Sequence, residues 1–250
     1  MPSEEEKQAC LQWVPEGRGS NTNMFLKTTI VSQLRGFTDY HSHILYGVDD
    51  GVKTLDVSLQ VLQRYEELGV SKVWCTPHIM EDIPNTTAGL RDRFTELKNA
   101  YSGPVQLRLA AEYMMDELFE QRLEQNDLLP LGEDGNCLLV ETSYFNPPLD
   151  LQGILKRIKS KGYFPVLAHP ERYVYMDKEY YRILKEQDIL FQLNISSLAG
   201  AYGKEAQKKA RWLLKKQYYN LAGSDLHSFR NMQFWDARVR RIDRIATTVL

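Results

Sequence analysis

Histidines are the residues of this 250-residue chain whose type and spacing can do chemistry. Two of them stand in the segment Asp39-Tyr-His41-Ser-His43. Side chains two apart on a strand share a face, so Asp39, His41 and His43 are expected to point the same way. Two imidazoles at one strand end form a pair of nitrogen ligands for a transition metal. Because His-x-His also occurs as ordinary polar residues, this pair alone is a weak signal.

The other histidines strengthen it. The chain has five histidines, and His78, His169 and His227 also follow apolar runs that are typical of strands. Polar residues end these runs at positions 43, 78, 112, 141, 169, 194 and 225. A βαβ unit needs about 30 residues, so this period predicts seven βα units and leaves no room for a second domain.

Helical patterns separate the predicted strands. The first helix is expected to begin after Thr54, a good N-cap, and to stop at Gly69. Seven parallel strands with helices between them predict an α/β barrel, whose reactive groups collect at the carboxyl ends of the strands. An open doubly wound sheet is the competing architecture, but it seldom uses every strand tip for one site.

In such a barrel, nine imidazole and carboxylate side chains converge. This mixture without thiolate suits Mn, Fe or Zn in a catalytic site, and nine ligands are enough for two or three ions. Two ions about 3.5–4 Å apart can clamp a phosphoryl group. Asp50 is the weakest member, because Asp49-Asp50-Gly51 is also an ordinary turn sequence. The nine are His41, His43, Asp50, His78, Glu112, Glu141, His169, Asp225 and His227.

Composition excludes several classes of protein. Charge is balanced, with 31 Lys and Arg against 33 Asp and Glu, so no basic field for nucleic acid is present. The three cysteines form no Cys-x-x-Cys pair and no Cys-x5-Arg phosphatase loop, which favours a reduced, cytoplasmic location. The polar N-terminus does not resemble a signal peptide. Residues 1–24 are expected to be a flexible extension, and residues 25–250 a single domain.

Six segments carry a family resemblance: Asp39-Tyr-His-Ser-His43, Val48-Asp-Asp-Gly51, Cys75-Thr-Pro-His78, Ala111-Glu112, Ala168-His-Pro-Glu-Arg172 and Gly223-Ser-Asp-Leu-His227. Together they resemble the polymerase-and-histidinol-phosphatase (PHP) superfamily. Within it, the chain is similar to the manganese-dependent protein-tyrosine phosphatases of bacterial capsule and exopolysaccharide operons, the CpsB/YwqE type. The resemblance spans about residues 37–235.

The resemblance implies a distorted (β/α)7 TIM-like barrel of the PHP type with two to three divalent ions, Mn above all. It also implies a function, which is removal of phosphate from the phosphotyrosyl tail of a tyrosine autokinase that regulates capsular or exopolysaccharide synthesis. The implied ligand sets are His41, His43, Glu112 and Asp225 for the first ion, Glu112, Glu141 and His169 for the second, and Asp50, His78 and His227 for the third.

Two arginines match the phosphate-binding positions of the family. Arg172 and Arg230 each stand three residues after a histidine, and a guanidinium fork meets phosphate oxygens two at a time. Arg230 can equally be a solvated surface arginine. Four aromatic residues near the strand ends can form a slot for a phosphotyrosine ring or pack as loops. These are Tyr144, Phe145, Tyr173 and Tyr175.

Three other functions compete with this interpretation. The first is a small-molecule phosphatase of the histidinol-phosphate type, which would use the same scaffold with a different pocket. The second is a metal-dependent nuclease, which the balanced charge disfavours. The third is a metal-stabilised module that binds a kinase tail without turnover, which the full set of ligands and arginines disfavours.

Overall fold

Parallel strands form most of the framework of the protein. The computed structural model describes residues 28–235 and 238–239. The predicted extension 1–24 lies outside these residues, so it stays a prediction, as does the 25–250 boundary. The strands are β1 (Thr28–Thr29), β2 (Thr38–Ser42), β3 (Lys72–Cys75), β4 (His78–Ile79), β5 (Gln106–Leu109), β6 (Glu112–Met114), β7 (Cys137–Glu141), β8 (Phe164–Ala168), β9 (Leu190–Asn194), β10 (Leu221–Gly223) and β11 (Arg238–Val239).

Helices alternate with these strands, as the sequence period predicts. The first is capped by the Thr54 hydroxyl, which accepts a hydrogen bond from Val57, and it ends at Gly69 in the left-handed conformation. The helices are α1 (Leu55–Leu68), α2 (Thr87–Ala100), α3 (Glu117–Gln125), α4 (Leu151–Ser160), α5 (Lys178–Glu186), α6 (Ile195–Ala199), α7 (Gly203–Lys215) and α8 (Phe229–Met232), with short 3-10 turns at Val31–Gln33 and Pro170–Arg172.

The strands form two parallel sheets that together curl as a half-barrel. One sheet has the order β10-β9-β8-β7-β6-β4, and the other has the order β2-β3-β5. The apolar run from Lys72 to His78, predicted as one strand, is divided between the sheets at Thr76-Pro77, where proline has no N–H to offer a ladder. An antiparallel pair of β1 and β11 makes the α/β fold mixed.

Hydrogen bonds bring β2 against the end of β10. The Asp225 amide donates to the His41 carbonyl at 2.7 Å, and the His43 amide donates to the Leu226 carbonyl at 3.0 Å. Ser42 and Leu226 form an isolated parallel bridge. These contacts place the His41–His43 pair, the first predicted ligands along the chain, beside Asp225, one of the last two.

The core has two parts because alternate strand residues face opposite sides. A small cluster that includes Trp74, Leu139 and Val166 consists mostly of strand residues. A larger cluster packs the other strand faces against the helices, with Leu62 and Tyr65 of α1 fully buried. Each large apolar side chain buried in this way contributes about 1.5–3 kcal/mol. Within the described residues, we find no helix that combines the length and the apolar character needed to cross a membrane.

Candidate metal centre

All nine predicted ligands meet at the carboxyl ends of the strands. His41 lies in β2 and His43 directly after it. His78 and Glu112 come shortly after the carboxyl ends of β3 and β5, where they are the first residues of β4 and β6. Glu141 closes β7, and His169 follows β8. Asp225 and His227 follow β10, and Asp50 lies in the loop between β2 and α1. Eight of the nine side chains, all but that of His169, form three overlapping groups whose potential ligand atoms lie within 4.8 Å of one another: His41, His43, Glu112 and Asp225 (the first group), His78, Glu112 and Glu141 (the second group), and His43, Asp50, His78 and His227 (the third group).

The first group is the set predicted for the first ion, and it is buried. Its ligand atoms surround one point: the Nε2 atoms of His41 and His43 lie 3.1 Å apart. From Nε2 of His41, Glu112 Oε2 lies at 3.1 Å and Asp225 Oδ1 at 3.4 Å. All four side chains are at most 3% exposed. Two imidazoles and two carboxylates around a dry point are a ligand set for a divalent transition ion.

Two side chains outside the predicted set orient these imidazoles. His41 Nδ1 lies 3.0 Å from Gln192 Oε1, and His43 Nδ1 lies 2.8 Å from Asp49 Oδ2. Because both partners accept, each Nδ1 carries the proton and each Nε2 presents a lone pair. Those two lone pairs face each other at 3.1 Å, which is repulsive unless a proton or a cation lies between them. Hydrogen bonds from Nδ1 to acceptors such as Gln192 and Asp49 are typical of histidines that bind metals through Nε2.

The second group includes Glu112 and Glu141, as predicted, but it places His78 beside them. His78 Nδ1 lies 3.2 Å from both Glu112 Oε2 and Glu141 Oε1. The predicted ligand His169 lies on the other side, with its Nε2 3.2 Å from Glu112 Oε1 and 3.6 Å from Glu141 Oε2. His169 can therefore complete this group. Glu112 belongs to the first two groups, in keeping with its predicted bridging role.

The third group lies nearest to solvent. Asp50 Oδ1 is 3.5 Å from His78 Nε2 and 3.3 Å from His227 Nε2, and the Asp50 side chain is 66% exposed. A hydrogen bond fixes the orientation of the His227 ring: its Nδ1 donates to the carbonyl of Asp225 at 3.0 Å. His43 joins the predicted members of this set.

Unsatisfied buried atoms show that the centre fits cations. His78 Nδ1, Glu112 Oε2 and His169 Nδ1 are buried and make no hydrogen bond of acceptable geometry, although His78 Nδ1 and Glu112 Oε2 lie 3.2 Å apart. A buried polar atom with no partner costs about 1–3 kcal/mol, and a cation would compensate the Glu112 and His78 atoms at the shared point of two groups. The residues present therefore fit a metal centre.

The electrostatics of the metal-free centre point the same way. Burial raises the pKa of Glu112, but the neighbouring His41 and His78 hold it well below its ordinary value. Burial opposes a charge on His41, yet the carboxylates of Glu112 and Asp225 outweigh it and raise the pKa of His41 to about 9. The carboxylates thus attract positive charge to this point, which in the absence of metal is supplied by protons.

Arg172 lies beside the first group. Its Nη1 donates to Asp225 Oδ2 at 2.6 Å, on the opposite side of that carboxylate from Oδ1. The guanidinium is sandwiched between the rings of Tyr144 and Tyr202, 4.4 and 4.1 Å from their centroids. Asn194 Nδ2 donates to the same Asp225 Oδ2 at 3.0 Å. The arginine is therefore held rigidly next to the ligands.

The other predicted residues are placed differently. Arg230 is an exposed residue of the short helix α8. Tyr173 is buried and packs the loop, since its hydroxyl donates to the Ala168 carbonyl at 3.0 Å. The hydroxyl of Tyr175 lies 2.6 Å from Thr142 Oγ1. Of the four predicted slot residues, Tyr144 lies over Arg172, and the side chain of Phe145 is open to solvent.

Asp39 does not share the face of the histidines, and this prediction was wrong. Its carboxylate accepts hydrogen bonds from the Tyr65 hydroxyl at 2.6 Å and from the Ser224 amide at 2.8 Å. The register between β2 and β3 shifts between Asp39 and Ser42. The extra residue on β2 breaks the two-residue alternation, so Asp39 and His41 face different neighbours.

The fold and this centre define an α/β protein with a candidate multinuclear metal site at the carboxyl ends of parallel strands. Residues 37–236 match the family of capsular polysaccharide synthesis proteins, CpsB/CapC, and the chain belongs to that family. The family membership predicted from the motifs is therefore confirmed.

Relatives in this family are named as phosphatases. The tyrosine-protein phosphatase YwqE of Bacillus subtilis is 26% identical over 202 residues, covering 78% of this chain and 79% of YwqE. The tyrosine-protein phosphatase CpsB of Streptococcus pneumoniae is 27% identical over 203 residues, covering 76% of this chain and 82% of CpsB. Among solved structures, a match comes from work on YwqE of B. subtilis and CpsB of S. pneumoniae, described as metal-dependent tyrosine phosphatases. It has a TM-score of 0.72 and 24% identity, and it covers 85% of this chain and 86% of the matched one, which establishes a shared fold.

Proposed function

We propose that this protein is a manganese-dependent phosphatase that hydrolyses phosphotyrosine on the tail of a bacterial tyrosine autokinase controlling capsule or exopolysaccharide synthesis. The observation that carries the proposal is the convergence of nine imidazole and carboxylate side chains beside Arg172. The names of the relatives supply the tyrosine-protein substrate, and the family supplies the link to capsule synthesis. The autokinase and the cytoplasmic location are parts of the proposal.

The three groups would hold two to three ions, with Mn preferred and Fe or Zn as the other candidates. His169 completes the second group in this proposal. Divalent ions held there would polarise the phosphoryl oxygens and activate a water molecule as the nucleophile. We propose that the seven strand segments act as one distorted (β/α)7 barrel, because only a closed ring lets β2 and β10 contribute to the same group.

Arg172 binds the phosphoryl group in this proposal. Its guanidinium is fixed by two aromatic rings and by Asp225, so the remaining N–H donors are preorganised for phosphate oxygens. Arg230 is the second candidate clamp and would approach from the exposed helix α8. A tyrosine leaving group has a pKa near 10, so it departs with little help from an acid.

Apolar residues at the rim support a polypeptide substrate. Phe145 and Val174 are 70% and 62% exposed, and Leu149 is fully exposed. The Val174 amide donates to the Tyr144 carbonyl at 2.8 Å, which ties this surface to the ring that covers Arg172. A small substrate such as histidinol phosphate has no chain with which to cover such a surface.

An activity assay with metal removal tests the proposal. Purified protein should hydrolyse a phosphotyrosyl peptide, lose this activity with chelator and regain it with Mn. Histidinol phosphate should be the poorer substrate, and acid quenching should trap no phosphoprotein, because the candidate nucleophiles are occupied as ligands. Full activity of metal-free protein, or a clear preference for histidinol phosphate, would overturn the proposal.

A further inference from the structure

Asn85 connects two segments that carry ligands, although it is not itself a ligand. It lies in the loop between β4 and α2. Its side-chain Nδ2 donates to the carbonyl of Val48 at 2.8 Å and to the carbonyl of His78 at 2.9 Å. Val48 directly precedes Asp49 and Asp50. One amide group therefore ties the loop that carries Asp50 to the strand that carries His78.

Two hydrogen bonds hold the backbone of Asn85. Arg122 of α3 donates through Nη2 to the carbonyl of Asn85 at 2.8 Å. The backbone N–H of Asn85 donates to the Ile83 carbonyl at 2.8 Å. The Arg122 side chain is only 11% exposed and also pairs with Asp127. The backbone of Asn85 is therefore fixed in place. From this position, the side-chain amide can hold the two segments that it joins.

The third group needs such support more than the first. The first group is enclosed, and Gln192 and Asp49 orient its imidazoles. The third group includes Asp50, a largely exposed carboxylate on a surface loop. Binding an ion through an exposed loop ligand requires that the loop be ordered, which costs conformational entropy. Asn85 orders it in advance.

We infer that Asn85 is a positioning residue for the third group, and that it sets the affinity of this group for its ion without touching that ion. The inference rests on the proposed function, because it assumes that the centre binds cations. It predicts a selective effect: loss of the Asn85 side-chain amide weakens the binding of the third group's ion most and leaves the ion of the enclosed first group in place.

The variant Asn85→Asp tests this with almost no change in shape. It removes both donated hydrogen bonds and places a carboxylate oxygen against two carbonyl oxygens. Asn85→Ala removes the same donors without that repulsion. Gln207→Glu is the matched control, since Gln207 Nε2 also donates to a backbone carbonyl, that of Leu198 at 2.9 Å, but it joins α7 to α6, which carry none of the nine predicted ligands. Each protein is stripped of metal and titrated with Mn, and free Mn is measured by electron paramagnetic resonance.

The expected result is that both Asn85 variants bind one ion per chain about 10–100-fold more weakly than the parent protein. At least one other ion, that of the first group, should keep its parent affinity, and Gln207→Glu should bind every ion as the parent protein does. Thermal melting of the metal-free proteins reports on folding independently of metal. If both Asn85 variants bind every ion as the parent does, or lose all ions together, the inference is wrong while the metal centre stands. If the parent protein binds no ion, the proposed function fails instead.

Discussion

Asp49→Asn is the most direct test of how the centre is built. The Asp49 side chain is buried, and its Oδ2 accepts from His43 Nδ1 at 2.8 Å and from the His78 amide at 3.1 Å. Its Oδ1 accepts from the Gly51 amide at 2.9 Å. Both oxygens therefore accept hydrogen bonds, and an asparagine, with one oxygen and one NH2 group, must leave at least one of these donors facing another donor.

The size of the effect follows from these contacts. A hydrogen bond to a charged group contributes about 1.5–3 kcal/mol, and each 1.4 kcal/mol is about a factor of ten in affinity. Loss of the charged acceptor also frees the His43 ring to carry its proton on Nε2, the atom that faces the first group. We therefore expect Asp49→Asn to bind Mn about 10–100-fold more weakly.

Calorimetric titration of metal-free protein with Mn measures this directly. The control is Asp92→Asn, which makes the same chemical change at an exposed position of α2. Circular dichroism of both variants checks that the fold is retained. Parent-like affinity of folded Asp49→Asn, within about twofold, would refute the view that this carboxylate orients His43 for metal.

Three further predictions concern the substrate and the stability of the fold. Arg172→Ala should lower kcat/KM by about 100–1000-fold, while metal analysis shows little loss of metal because Asp225 keeps Asn194 as a partner. Arg172→Lys should recover only part of the lost kcat/KM. A parent-like rate of Arg172→Ala would exclude Arg172 as a residue that binds the phosphoryl group. Replacing both Phe145 and Leu149 by Ser should raise KM for a phosphotyrosyl peptide and leave the kinetics with p-nitrophenyl phosphate unchanged. Equal effects on both substrates would count against a role of this surface in binding the peptide. Burial lowers the pKa of Lys185 to about 8 from an ordinary 10.5, so between these pH values the unfolded chain binds more protons and this residue's contribution to stability rises with pH. The difference in urea unfolding free energy between parent and Lys185→Met should therefore increase from pH 8 to 10, and a constant difference would contradict the argument.

Sequence reasoning works for the ligands because their positions follow from a repeat. Each predicted ligand except Asp50 lies in, ends or closely follows an apolar run, and parallel strands bring such ends together whatever the details of packing. Residues as far apart in the chain as His41 and Asp225, separated by 184 positions (225 − 41), could therefore be assigned to one site. The division of the residues into three sets came from the family resemblance and not from the repeat.

The supporting residues could not be found in the same way. Gln192 lies inside β9 with no local mark of its role, and only the fold brings it to His41. Asp49 was visible in the Asp-Asp-Gly turn, but spacing alone does not say which aspartate faces the histidine. The register shift in β2 depends on pairing with β3, so the departure of Asp39 from the strand alternation has no signal in the sequence.

The two oxygens of Asp225 have a thermodynamic consequence. Oδ1 faces the imidazoles of His41 and His43, and Oδ2 pairs with Arg172. In the proposed phosphatase, a cation bound on the imidazole side would draw on the charge that also neutralises the guanidinium, so Arg172 would attract an anion more strongly. By linkage the effect is reciprocal: whatever factor the cation adds to anion affinity, the anion adds to cation affinity. Through this one carboxylate, metal retention would become a function of substrate concentration, and a starved enzyme would release its cation more readily than a working one.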